Sequence, residues 1–353
     1  VSRKYPFRNL VFKGGGIKAF AYIGAMQAFE EHKVLSKIDR VAGNSAGSLM
    51  ATLVSFRKDA QDTSIIIATL DFSKVASMGA DEGSQSDSSI PQVIKRREQK
   101  IKGGMNAISR LYQNYGLFSS DFLQNWLQEV IAQECHGNGK ASFADFRKFG
   151  FRDVHIVATN VSTHQVTEFS AATTPDIPVA EAAIASSSIP LFYEPRQFKS
   201  ELINPSDYFV DGGVLTNFPI HLFDHPMYEK GNRHYDQGVN WETLGCRLFT
   251  PEECNEEIEP ITNLPSFVKN LVETLSITED ITFTNTLIDQ LRTIDISNCC
   301  VGTKDFSVRP GTEKYDELVA AGWSATNEFL EGYQSPKDRL SGIRERFREY
   351  FGK

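Results

Sequence analysis

The chain has 353 residues, 41% hydrophobic and 23% charged, with a mean hydropathy of −0.30. That balance excludes a disordered, collagen-like or coiled-coil architecture, and the length is enough to bury a core without metal or disulfide staples. A net charge of −8, from 37 Lys and Arg against 45 Asp and Glu, opposes loose binding to a polyanion, so no nucleic-acid partner is expected.

The first apolar run, Leu10-Val11-Phe12, reads as a strand. Gly14-Gly15-Gly16 breaks it, and from Ile17 to Glu31 the apolar residues recur at helical spacing. A second unit repeats the pattern more tightly: a strand at Ile38–Ala42, a turn over Gly43-Asn44-Ser45-Ala46-Gly47, and a helix at Ser48–Phe56. Two consecutive strand–turn–helix units argue for a parallel sheet covered by helices. Residues 79–89 are polar and read as a loop, followed by the basic run Ile94–Lys102. Phe118–Ala132 has the pattern of an amphipathic helix, with Ser119 or Ser120 as N-cap. Asp153–Thr159 reads as a buried strand, Val179–Ala185 as a short helix, Ile189-Pro190-Leu191 as the start of a loop, and Tyr208–Val210 as a strand running into Asp211-Gly212-Gly213. Phe267–Leu275 is predicted to be helical, and Leu340–Phe351 is a basic amphipathic tail. The five cysteines, Cys135, Cys246, Cys254, Cys299 and Cys300, show no paired-motif spacing and read as reduced thiols of a cytoplasmic protein. No apolar run is long enough for a transmembrane helix, and no signal-peptide h-region precedes the first strand.

Three places carry chemistry. Gly43-x-Ser45-x-Gly47 between a strand and a helix fits a nucleophile elbow, where the serine sits on a strained turn and the flanking glycines avoid collision with the adjoining strand and helix. The following helix aims its positive end at the serine oxygen. None of the seven histidines lies in a loop pattern marking a catalytic base. Asp211 is the stronger partner: it ends an apolar strand and two glycines follow it. Strand-terminal aspartates of parallel sheets project at the carboxyl edge, where ligands bind. Gly14-Gly15-Gly16 presents successive N–H groups suited to an anion, either a phosphate or the oxyanion of an acyl-transfer intermediate. No carboxylate or Cys/His cluster points to a metal, and no cofactor is implied.

In this order, Gly14-Gly15-Gly16-Ile17-Lys18-Ala19, Gly43-Asn44-Ser45-Ala46-Gly47 and Asp211-Gly212-Gly213 resemble the motifs of the patatin-like phospholipase family. Flanking stretches are similar too, among them GLFSSDFLQNWL, VHIVATNVSTHQVTEFS, AAIASSSIPLFYEP and the closing strand and helix expected in TKDFSVRPGTEKYDELVAAGWSAT. The resemblance implies a three-layer α/β/α sandwich with a mainly parallel central sheet, extending over residues 9–330. Residues 79–105 would then be a variable loop, able to act as a lid, and residues 331–353 a basic tail. It further implies a Ser–Asp dyad, with Ser45 as nucleophile and Asp211 as base. Gly14, Gly15 and Gly16 would be the oxyanion donors, Lys18 would occupy the family's basic position, and Gly43 and Gly47 would frame the elbow. Ala19 departs from the glycine usual after the basic residue, and Asn160 from a common aspartate.

The expected activity is hydrolysis of fatty-acyl esters of phospholipids or related glycerolipids. Alternatives are acyl transfer through the same acyl-enzyme, an effector phospholipase that is inactive until a protein partner activates it, and a phosphate-binding module in which Ser45 and Asp211 are inert. Peripheral membrane contact would fall to the Lys95–Lys102 cluster and the Leu340–Phe351 tail.

Overall fold

The computed structural model describes residues 5–70, 109–252 and 286–335 except 303, 304 and 306, together with positions 254, 260–262, 266, 267, 270, 271 and 274. The loop expected over 79–105, the Ile94–Lys102 cluster and the Leu340–Phe351 tail lie outside the described residues.

Strand β1 (Asn9–Phe12) leads through the glycine turn and one 3-10 segment (Gly16–Phe20) into helix α1 (Ala21–Glu31). The second unit follows as β2 (Arg40–Asn44) and α2 (Ala46–Ser55), with α3 (Ala60–Ala68) after it. The expected strand at Ile38–Ala42 therefore starts and ends two residues later. Next come β3 (Gly116–Phe118), α4 (Asp121–Glu134), α5 (Phe143–Lys148) and the hairpin of β4 (Asp153–Asn160) and β5 (Gln165–Phe169). Ser120 is the residue at the α4 N-cap position, but it is Ser119 Oγ that accepts the Asp121 N–H, at 3.1 Å. Helix α6 (Val179–Ser186), β6 (Leu191–Tyr193) and β7 (Phe209–Asp211) bring the chain back to the sheet. Two short strands, β8 (Tyr235–Asp236) and β9 (Val239–Asn240), form a separate hairpin; then follow β10 (Thr243–Phe249), α7 (Leu287–Gln290), β11 (Thr293–Ser297) and α8 (Glu313–Glu331).

Among the described residues the main sheet has seven strands, ordered β11-β10-β1-β2-β4-β5, with β7 also on β4. The pairs from β11 to β4 are parallel, and β5 and β7 pair antiparallel with β4. Side chains alternate across this sheet. Leu10, Phe12 and Val41 enter the large core formed with α1, α2, α4, α6 and α8. Val11 and Ala42 face the other way, beneath Phe218, Ile220 and Phe223. The layered α/β arrangement is thus the expected one, and a segment of short 3-10 turns (Gly212–Val214, Leu222–Asp224, Pro226–Tyr228) contributes to the cover of that second face.

The helix expected over Phe267–Leu275 agrees with its described residues, which are helical, Phe267 and Leu271 being exposed. Three expectations are corrected. Residues after Ile189 do not simply open a loop, because Leu191–Tyr193 pairs with β3 as a short strand. The closing strand is not at TKDFSVRPG, where the described residues are non-strand; β10 and β11, which carry no glycine-turn signature, complete that side of the sheet instead. Cys254 and Cys300 form a disulfide, with Cα atoms 5.3 Å apart, leaving Cys135, Cys246 and Cys299 as free thiols. Sequence spacing hides this pair because it depends on the sheet: β10 and β11 run side by side in parallel, Phe249 opposite Ser297, so the segments leaving them start together. No described helix is long and apolar enough to cross a membrane.

Candidate active site

Ser45 stands between the last residue of β2 and the first of α2 with φ 52° and ψ −129°, outside the regions ordinarily open to an L-residue. Its main chain is held from both sides. The N–H donates to Ser186 Oγ at 2.9 Å, and the carbonyl accepts from Ser48 N at 2.8 Å and Ser48 Oγ at 2.6 Å. Such contacts sustain a strained turn that an isolated chain would relax. The glycines are there for space: a Cβ on Gly43 would lie 2.1 Å from the Gly47 carbonyl oxygen, and one on Gly47 would lie 2.3 Å from that of Phe12. The Ser45 side chain makes no cap bond to α2. Its hydroxyl therefore remains available at the positive end of that helix.

Asp211 reaches Ser45 by sheet register. Along one edge of β4, β2 pairs with Asp153 through Val157, and β7 pairs with Ala158 through Asn160. The opposite edge is occupied by β5 over Ile156–Asn160. Strands β2 and β7 therefore share an edge and approach each other head-on, Asn44 opposite Val157 and Asp211 opposite Ala158. Asp211 does end a strand at the site, but that strand is antiparallel to its neighbour, contrary to the parallel-strand expectation.

The Asp211 carboxylate is buried and accepts hydrogen bonds from the Gly213 N–H (2.8 Å) and Asn44 Nδ2 (3.3 Å); these donors and the nearby Ser45 hydroxyl act to lower its pKa. Burial outweighs these donors and pushes its pKa up to about 6. The histidines with side-chain partners use them elsewhere: His32 on Asn327, His155 on Glu168, and His221 on Asp224 and Asp289.

The glycine turn lies beside the elbow because Phe12 is in register with Gly43. A Cβ on Gly14 would come within 3.1 Å of Ser45 Cβ. The Gly14 N–H is occupied, donating to the Asn217 carbonyl at 3.0 Å. Gly15 and Gly16 stand at the cap and first position of the 3-10 segment that runs into α1, where amides lack intrahelical acceptors. The Ser45 N–H is likewise occupied, by Ser186. Lys18 is half-buried in the same segment.

Three further polar residues belong to this site and carried no motif: Asn44, Asn217 and Ser186. Asn44 Nδ2 donates to Asn217 Oδ1 (3.0 Å), while Ser186 Oγ contacts Asn44 Oδ1 (3.1 Å) and donates to the Val157 carbonyl (2.6 Å). Ser186 lies within the stretch AAIASSSIPLFYEP, while Asn44 holds the variable position of the elbow and Asn217 stands six residues after Asp211. Nothing in a linear reading distinguishes these two from turn asparagines. Asn160, the departure from the family's aspartate, caps the β4–β5 turn through Ser162 and Thr163 N–H and binds Asp207.

A family model described as patatin-like phospholipase matches residues 10–224. The uncharacterized protein YqhO of Bacillus subtilis (strain 168) is 31% identical over 216 residues, which cover 60% of this chain and 65% of that protein. The chain thus spans just under two thirds of that relative. A probable lipid hydrolase, 463L, of Invertebrate iridescent virus 6 is 23% identical over 70% of this chain and 73% of its own length. Among solved structures, VipD from Legionella pneumophila superposes with a TM-score of 0.54 at 17% identity, covering 92% of this chain and 67% of that one, a likeness of fold.

Proposed function

The chain belongs to the patatin-like phospholipase family, and from that premise we propose that it hydrolyses fatty-acyl esters of phospholipids or related glycerolipids with Ser45 as nucleophile and Asp211 as base. The support for this reading is the end-to-end placing, along one edge of β4, of Ser45 on its strained turn and of Asp211, whose buried carboxylate has its pKa pushed up to about 6. An ordinary aspartate is too weak a base at neutral pH, whereas one raised toward the working pH remains ionised there and holds a proton more firmly.

In the proposed reaction Ser45 Oγ attacks the ester carbonyl carbon as its proton passes to Asp211. The tetrahedral oxyanion is held by the Gly15 and Gly16 N–H groups, each worth about 3 kcal/mol if it acts as a typical oxyanion donor. Gly14 has its amide engaged and serves instead as space beside Ser45. Lys18 adds positive charge on the oxyanion side. Asp211 returns the proton to the departing alcohol, leaving an acyl-enzyme. Water, deprotonated by the same carboxylate, then releases the fatty acid and restores the serine. The similarity to 463L supports lipid as the substrate class.

The test is labelling with a fluorophosphonate probe, paired with mass spectrometry of the products released from mixed phospholipid vesicles. Wild type is expected to label and to release free fatty acid; Ser45→Ala should do neither, and Asp211→Asn should release almost none. Label absent from pure wild type and restored by lysate would favour a partner-activated enzyme. A Ser45→Ala variant that still released fatty acid would overturn the assignment.

A further inference from the structure

The parts of this site touch one another through two buried amides. Asn44 is fully buried and Asn217 is 9% exposed. The Asn44 NH2 group has two protons and two acceptors, Asp211 Oδ1 and Asn217 Oδ1. Asn217 reaches the glycine turn as well, its main-chain carbonyl accepting the Gly14 N–H. The backbone is shaped around these amides. A Cβ on Gly14 would stand 2.2 Å from Asn217 Oδ1, and one on Gly212 would stand 2.2 Å from Asn44 Oδ1. Glycine is required at both positions because polar side chains of the network occupy the room.

We propose that Asn217, acting through Asn44, is a positioning residue for the base. Accepting one Asn44 proton fixes the rotation of that amide, so the other proton stays on Asp211 Oδ1. With the Gly213 N–H also on Oδ1, two donors set the plane of the carboxyl group facing Ser45. The same residue ties the glycine turn to the base, so oxyanion donors and proton acceptor keep one spacing. In a dry site these bonds favour the ionised carboxylate, and their loss moves its titration upward. The inference rests on Ser45 and Asp211 being nucleophile and base.

The experiment is steady-state hydrolysis of 4-nitrophenyl butyrate from about pH 5 to about pH 9, with wild type, Ser45→Ala, Asn217→Ala and Asn217→Asp. Asn217→Ala is expected to lower kcat on the order of 10- to 100-fold with KM nearly unchanged, and to move the acid limb upward by about half a unit or more. Asn217→Asp keeps the acceptor and the shape, so it should retain more of the plateau rate. Its added carboxylate should move the acid limb up further. A folded Asn217→Ala with the wild-type kcat and acid limb overturns the proposal. So does a variant that only melts earlier while its pH profile stays put. If the truncation does not fold, the isosteric Asn217→Asp carries the test, and an unmoved acid limb there is the overturning result. Wild-type turnover that does not depend on Ser45 is a separate failure: it removes the nucleophile, and the positioning role with it.

Discussion

Ser45 follows the last residue of β2 and Asp211 closes β7, and these two strands meet head-on along one edge of β4, which brings two residues far apart in sequence to one site. The pairing has a direct kinetic consequence. A base must be ionised to act, and the Asp211 carboxyl group, raised mainly by burial, loses its charge as the pH falls through about 6. Ester hydrolysis is therefore expected to show an acid limb centred near pH 6, falling about tenfold for each further pH unit. The measurement is kcat/KM against pH on a soluble ester. A rate still level at about pH 4.5, below the raised value and close to that of an ordinary aspartate, would remove Asp211 as the base.

The same burial costs stability. A carboxyl group whose pKa is higher folded than unfolded binds more protons in the native state, so stability declines as pH rises from about 4 to about 6 and stays reduced above that. Asp211→Asn keeps an acceptor for the Gly213 N–H and removes the buried charge. It is expected to abolish turnover while stabilising the fold at neutral pH on the order of 1–3 kcal/mol, with the difference shrinking toward about pH 4. Urea unfolding of both proteins at the two pH values measures this. An Asn variant less stable than wild type at pH 7 would show that the carboxylate is held by more than it costs.

The sequence makes the local chemistry legible where it demands unusual residues. Ser45 between Gly43 and Gly47, Asp211 before two glycines and the triple-glycine turn are all constraints of a few adjacent positions, and each lies where the fold needs it. What links them is long-range. The end-to-end meeting of β2 and β7 depends on where β2 stops along β4, which no periodicity records. Asn44, Ser186 and Asn217 become a network only once three separate segments converge. For the same reason the engaged Gly14 amide could not be told from its neighbours by its sequence. Strand β10 was hidden differently, since a buried parallel strand has an apolar run that periodicity does not separate from a helix.

The Cys254–Cys300 bond closes a separation of 46 residues between the segments leaving β10 and β11. Loop-closure entropy for that length corresponds to about 4 kcal/mol taken from the unfolded state. Alkylation of the denatured, unreduced protein is expected to mark Cys135, Cys246 and Cys299 only, with Cys254 and Cys300 reacting after reductant. Cys300→Ser should lower the melting temperature of the non-reduced protein and leave that of the reduced protein nearly unchanged. Alkylation of all five residues without reductant would contradict the bond.

The segment carrying Asp211 and Asn217 is anchored beyond its far end by charge. Buried Arg292 binds Asp224 (2.6 Å) and Asp289 (2.8 Å), and His221 spans the same two carboxylates, Nδ1 to Asp224 (3.1 Å) and Nε2 to Asp289 (3.0 Å). Two carboxylates against one guanidinium leave one negative charge, which the imidazolium neutralises. The bonds to Asp224 and then Asp289 push the His221 pKa up to about 9, against the opposing charge of Arg292. A histidine whose pKa is higher folded than unfolded contributes stability that is complete below about pH 6.5 and is lost as pH rises through about 9. The imidazole is largely exposed, so solvent screening keeps the effect modest. Melting temperatures taken from about pH 6 to about pH 10 should fall across the alkaline half in wild type, and His221→Gln should start lower and fall less. Parallel curves for the two proteins would assign the alkaline loss to another group.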